Sequence, residues 1–119
     1  MSSDDAPMHL VEQHISVEEL RRLAAERFGD LVKAVVDIRL GVMVIGAQLH
    51  ADEEALLLDR GSQQGDLWGI NIWPERPLED WIEFDSMINL RPSSGNRSRG
   101  VDDPDVRSTI VNVVTKLTS

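Results

Sequence analysis

The chain has 119 residues, a formal charge of −9, a hydrophobic fraction of 41% and no cysteine. That length suits one domain around one modest core, and the missing cysteine excludes disulfides, thiolate zinc sites and thiol catalysis. The acidic balance argues against nucleic acid or an anionic membrane as partner, since both require a basic surface, and no apolar run approaches the ~18 residues of a membrane-spanning helix.

Residues 1–7 carry small and acidic residues and one Pro, and read as a disordered tail before a single α+β domain over 8–119. The MSSDDAPMH start lacks the apolar segment of a secretion signal. Together with the absence of cysteine, this points to the cytoplasm.

The stretch 8–13, MHLVEQ, is a short strand candidate. Ser16 with Glu19 three residues later forms a capping-box pattern. Val17, Leu20, Leu23, Ala24 and Phe28 follow at helical spacing, and Gly29 stands where a left-handed terminator belongs, so a helix is predicted over 17–28. The segment LVKAVVDIRLGVMVIGAQLH is rich in β-branched residues, with Asp37 and Gly41 bracketing a tight turn. It reads as a hairpin of central strands at 32–38 and 42–49.

A short helix follows over 51–61, with Asp52, Glu53 and Glu54 at its positive end and Gly61 as its stop. In DLWGINIW, Trp68, Ile70 and Ile72 alternate with Leu67, Asn71 and Trp73, the pattern of a strand. The segment 80–91 alternates too, and predicts a long strand placing Glu83, Asp85, Asn89 and Arg91 on one face, interrupted at most by a bulge near Asp85–Ser86. Asp103 caps a last helix with Pro104 in its first position, and Val106, Ile110, Val113 and Leu117 repeat at helical spacing. The β-branched run I-V-N-V-V-T also fits a strand.

The fold class is therefore α+β, with an antiparallel sheet of about five strands, about three helices and the order β-α-β-β-α-β-β-α. The first six elements match the ferredoxin-like order, which would place the helices on one face.

Three places carry candidate chemistry. The loop after Arg91 holds Ser94, Asn96, Arg97, Ser98 and Arg99. Small residues free backbone N–H groups to turn toward a ligand, and Arg pairs bidentately with carboxylate or phosphate. The opposing reading has Arg97 and Arg99 pairing with the protein's own acids, at Asp102, Asp103 and Asp105 or at Glu53 and Glu54. The loop lacks both nucleotide-binding glycine spacings.

Second, Glu83 and Asp85, with Asn89, Arg91 and a neighbouring Asn71, could hold a divalent cation or act as acid and base. The plainer reading is a solvated sheet face, which antiparallel sheets usually show. Third, His50 at a strand end, beside Asp52, Glu53 and Glu54, suggests a metal half-site or a general base. The plainer reading is a histidine bonded to backbone. His9 and His14 lie near the tail, and no zinc spacing or serine-nucleophile elbow is present.

The strings DLWGINIWP, WIEFDSMINLRPSSGNRSRGVDDPDVR and LHADEE resemble a family of small bacterial proteins described as a domain of unknown function. The similarity runs from about Met8 to Leu117, and INLRPSSGNRSRGV is its specific part. The resemblance implies a bacterial source and a stand-alone domain, and brings no catalytic residue or cofactor with it. It also implies that Asn89, Arg91, Pro92, Gly95, Asn96, Arg97, Ser98 and Arg99 form a defined unit.

Three functional expectations follow. The preferred one is a binding module whose loop, with Asn89 and Arg91, recognises an anionic small molecule or an acidic partner segment. The second is a metal-dependent hydrolase or phosphoryl-transfer enzyme using His50, Glu83 and Asp85. The third is a structural subunit with a salt-bridged Arg loop. A homodimer is expected from the small size, the apolar strands and the three Trp as exposed candidates.

Overall fold

The computed structural model describes residues 8–119; the tail expected over 1–7 lies outside them. Five strands form one antiparallel sheet. In chain order the elements are β1 (His9–Val11), α1 (Val17–Arg27), β2 (Val32–Asp37), β3 (Val42–Ile45), α2 (His50–Asp59), β4 (Leu67–Ile72), β5 (Ile82–Glu83) and α3 (Pro104–Thr118).

The local signals act as their chemistry dictates. The Ser16 hydroxyl accepts the Glu19 N–H at 3.1 Å, which starts α1. Glu19 does not reciprocate, because its carboxylate pairs with Arg22. Gly29 takes a φ of 96° and ends the helix. In the β2–β3 turn, Asp37 Oδ1 accepts the N–H groups of Arg39 and Leu40, each at 2.9 Å, and Oδ2 accepts the Ser62 hydroxyl at 2.7 Å. Gly41 supplies the φ of 72° that closes the turn. Asp103 Oδ1 accepts the Asp105 N–H at 2.8 Å and opens α3 at Pro104.

The sheet order is β1-β3-β2-β4-β5. The ferredoxin-like arrangement forms only in part. β1 and β2 run the same way with β3 between them, as a split βαβ unit requires. β4, however, joins beyond β2 and not beside β1. The second crossover, from β3 over β2 to β4, therefore steps across the sheet in the same direction as the first, from a strand running the opposite way. Right-handed crossovers then send α1 and α2 to opposite faces.

The packing agrees. Leu20, Leu23 and Ala24 of α1 and Ile110, Val113, Val114 and Leu117 of α3 pack on Val32, Ala34, Val36, Met43, Ile70 and Ile72. Leu57 of α2 packs on Val35, Val44 and Leu67 from the other side. The expectation of helices on one face is corrected accordingly. Trp68 and Trp81 are buried and Trp73 is half-buried, so the Trp do not provide the exposed face expected for a dimer.

The long strand over 80–91 does not form. β5 ends at Glu83, and the chain turns through 3₁₀ segments at Met87–Asn89 and Pro92–Ser94. The reason lies at Gly69. A Cβ there would sit 2.6 Å from the Ser86 Cβ and Oγ, so the 84–89 segment packs directly against the β4 backbone. The Asn89 side chain takes the place of a strand, with Oδ1 accepting the Gly69 N–H at 2.8 Å and Nδ2 donating to the Gly69 carbonyl at 2.9 Å.

Candidate functional site: a pocket between α2 and the 85–88 turn

On the α2 face of the sheet, one row of side chains crosses three strands. Lys33 of β2 pairs in register with Asn71 of β4, and Asn71 with Glu83 of β5. At its other end, Glu83 accepts hydrogen bonds at Oε1 from Asn71 Nδ2 at 2.9 Å and from Trp73 Nε1 at 3.2 Å. That fixes the orientation of the Asn71 amide, since only Nδ2 can donate to a carboxylate. Asn71 Oδ1 is left buried with no hydrogen-bond partner.

Over this row lies a pocket of about 230 Å³, lined by Lys33, Leu49, His50, Ala51, Asn71, Asp85, Ser86, Met87, Ile88 and Arg99. The first residues of α2 border it, and no side chain caps that helix end. Leu49 and Met87 are exposed and give it apolar walls. Among the described residues no carboxylate lies within ion-pair distance of Lys33, whose Nζ is 5.4 Å from the Phe28 ring centre. Arg99 Nε pairs with Asp85 Oδ1 at 2.8 Å, with both side chains about half exposed.

His50 is the first residue of α2, not a strand end. Its Nε2 lies 2.7 Å from the Ile70 carbonyl, so Nε2 carries the proton and Nδ1 the lone pair. Burial pulls its pKa down to about 4; Lys33 and Arg99 push the same way, against the Ile70 carbonyl and Asp85. The imidazole is therefore neutral at neutral pH and a weak base. Glu53 does not join it. It is fully buried in α2, Oε2 accepts the Ala47 N–H at 3.0 Å, and burial raises its pKa well above the ordinary carboxylate value.

The pocket thus brings together four expected residues, His50, Asn71, Asp85 and Arg99. Glu83 supports it from behind through Asn71. The expectation that Glu83, Asp85, Asn89 and Arg91 share a strand face is corrected, because the strand stops at Glu83. Glu83 and Asp85 point their carboxylates to different partners. Among the described residues no group of three His, Cys, Asp or Glu converges to hold a metal ion.

The Arg loop is a built unit around two asparagines. Arg91 and Asn96 exchange backbone hydrogen bonds at 2.9 and 3.1 Å, and Gly95 turns the chain with a φ of 90°. Asn96 Nδ2 reaches the carbonyls of Asn89, Ser98 and Gly100 at 2.7, 3.1 and 2.9 Å, while its Oδ1 accepts the Asp102 N–H at 2.8 Å. Arg91 straps over Trp68, its guanidinium 4.1 Å from the ring centre, and donates to the carbonyls of Gln64 and Leu67.

Asp102 accepts the Ser98 hydroxyl at 2.6 Å and the Arg97 N–H at 2.8 Å, bonds that hold its carboxyl below the usual range. The Arg97 side chain and Ser94 stand exposed, away from the pocket. Of the loop's expected ligand-binding residues, only Arg99 lines it.

Of two pocket residues outside those expectations, Lys33 carries a signal in the sequence and Ser86 does not. Lys33 is one of only two lysines and interrupts the apolar run LVKAVV, where a charge needs a reason. Ser86 gives no signal of its own, since its place depends on Gly69, seventeen residues earlier in the chain. 

No helix among the described residues is long and apolar enough to cross a membrane. Comparison with curated proteins and with solved structures finds no match. One family model, described as a protein of unknown function (DUF5674), matches residues 9–117. That span takes in every element of the sheet, the pocket and the Arg loop, and by it the chain belongs to the DUF5674 family.

Proposed function

We propose that this chain is a small-molecule binding module, and that the pocket between the start of α2 and the 85–88 turn takes a small organic anion. The observation that carries this reading is Lys33. Lys33 lines the pocket and, among the described residues, has no carboxylate partner, in a chain whose net charge is −9. A cationic residue on the wall of a cavity that also has apolar walls suits a ligand with one charged and one apolar end.

Arg99 adds a second cation at low cost. An ion pair as exposed as Arg99–Asp85 contributes only about 0–1 kcal/mol, so Arg99 can exchange Asp85 for a ligand. The α2 N–H groups at His50 and Ala51 favour the same charge sign, although Asp52 in that turn offsets part of it. At about 230 Å³ the pocket lies below the ~300–1,000 Å³ of drug-sized sites, which suits a ligand of metabolite size. The anion preference of the sequence reading is kept, but its seat moves from the Arg loop to the pocket.

Titration calorimetry with 4-methylpentanoate tests this. Its carboxylate matches Lys33 and its branched tail matches Leu49 and Met87. Saturable binding is expected in the wild type and a loss of about tenfold or more in Lys33→Met, since a charge-assisted hydrogen bond contributes roughly 1.5–3 kcal/mol. Equal binding by both proteins, or no binding by the wild type of either this acid or its 2-hydroxy counterpart, contradicts the proposal.

A further inference from the structure

The pocket holds one feature that a bare anion does not answer. Asn71 is 6% exposed, and it lines the cavity. Glu83 holds its Nδ2, and Oδ1 has no partner. An unsatisfied buried acceptor is costly, and native structures leave few of them. Lys33 is the cross-strand neighbour of Asn71, so the cationic residue and the amide with the unpartnered acceptor stand side by side on the same sheet face.

Building on the anion pocket, we infer that its ligand is a small carboxylate carrying its own O–H or N–H donor, a hydroxy or amino acid with a short apolar side chain, and that Asn71 selects it by accepting that donor. The carboxylate meets Lys33 and the helix end. The donor meets Asn71 Oδ1. The apolar part rests between Leu49 and Met87. Glu83 and Trp73 act as positioning residues, because they keep the amide from rotating to offer Nδ2 instead. A simple carboxylic acid leaves Oδ1 unsatisfied, and discrimination of that kind is the strong kind.

The test is a matched pair, 2-hydroxy-4-methylpentanoate against 4-methylpentanoate. Both are ionised at pH 7.5 and differ by one hydroxyl. In the wild type the hydroxy acid is expected to bind about tenfold tighter or more, and to shift the side-chain amide resonances of Asn71 where the simple acid does not. In Asn71→Ala the ratio is expected to fall to about one, with the simple acid still bound. Should that variant not fold, the wild-type ratio and the Asn71 resonances decide the matter alone. Equal binding of the pair by the wild type overturns this inference and leaves the anion pocket standing. Binding of neither acid overturns both.

Discussion

Two asparagines carry more of this structure than any of the arginines that surround them. Asn89 is fully buried, and its amide pairs with both backbone groups of Gly69 and with the Arg99 carbonyl. Removing it leaves buried backbone groups unsatisfied, at about 1–3 kcal/mol each. Asn89→Ala is therefore expected to cost about 3 kcal/mol or more in urea unfolding. Arg97 is exposed and uses only its backbone N–H, so Arg97→Ala is expected to stay within about 0.5 kcal/mol of wild type. Equal losses in the two variants would show that the loop is held by its charges and not by its amides.

A buried acid makes the residue scale visible in solution. Burial raises the Glu53 pKa well above 4.5, so the folded state keeps that proton when the unfolded state has released it. Its contribution is complete below the unfolded value, near pH 4.5, and is lost as the pH rises through the folded pKa. His50 works in the opposite sense. Its folded pKa, about 4, lies below the ordinary 6.5, so the unfolded state binds more protons between those values and His50 lowers stability as the pH falls through that window. In Glu53→Gln the falling limb above pH 4.5 is expected to flatten while the His50 limb remains. An unchanged profile from pH 4 to 9 in guanidinium titrations would show that Glu53 ionises as it does in the unfolded chain.

At the scale of elements, most of what was legible came from local chemistry. The Ser16 and Asp103 caps, the Gly29 stop and the Asp37–Gly41 turn each act within a few residues, and the helices and the hairpin start or stop on them. The alternation of β4 was readable because both of its faces are covered, by Trp68, Ile70 and Ile72 on one side and Leu67 on the other.

The 80–91 segment failed because its alternation is genuine while its hydrogen-bond partner is not a strand. Gly69 lets Ser86 close on the sheet, and Asn89 supplies from a side chain what a strand would supply from its backbone. Nothing within 80–91 marks this, since the deciding residue lies on β4. The face of α2 was hidden for a similar reason. It follows from the side of β2 on which β4 pairs, a long-range choice that element order does not fix.

At the scale of the whole molecule, the sheet has two working faces. α1 and α3 cover one with the larger core. α2 covers only part of the other, and the row Lys33–Asn71–Glu83 emerges beyond its N-terminal end. The pocket exists because that helix starts late, at His50, and because the 84–89 segment folds back in place of a longer β5. The Arg loop answers to the same design. It is a self-bonded unit that delivers one side chain, Arg99, to the cavity and holds its own turn through Asn89, Asn96, Ser98 and Asp102.

The central claim is that ligand chemistry belongs to this pocket and not to the loop tip. Backbone ¹H–¹⁵N spectra, recorded while 2-hydroxy-4-methylpentanoate is titrated into the full chain, test it most directly. The predicted result is saturable shifts centred on the amides of Lys33, His50, Ala51, Asn71 and Ser86, with those of Ser93, Ser94 and Arg97 unmoved. Shifts centred on 93–98, or no saturable shifts at all, would contradict it.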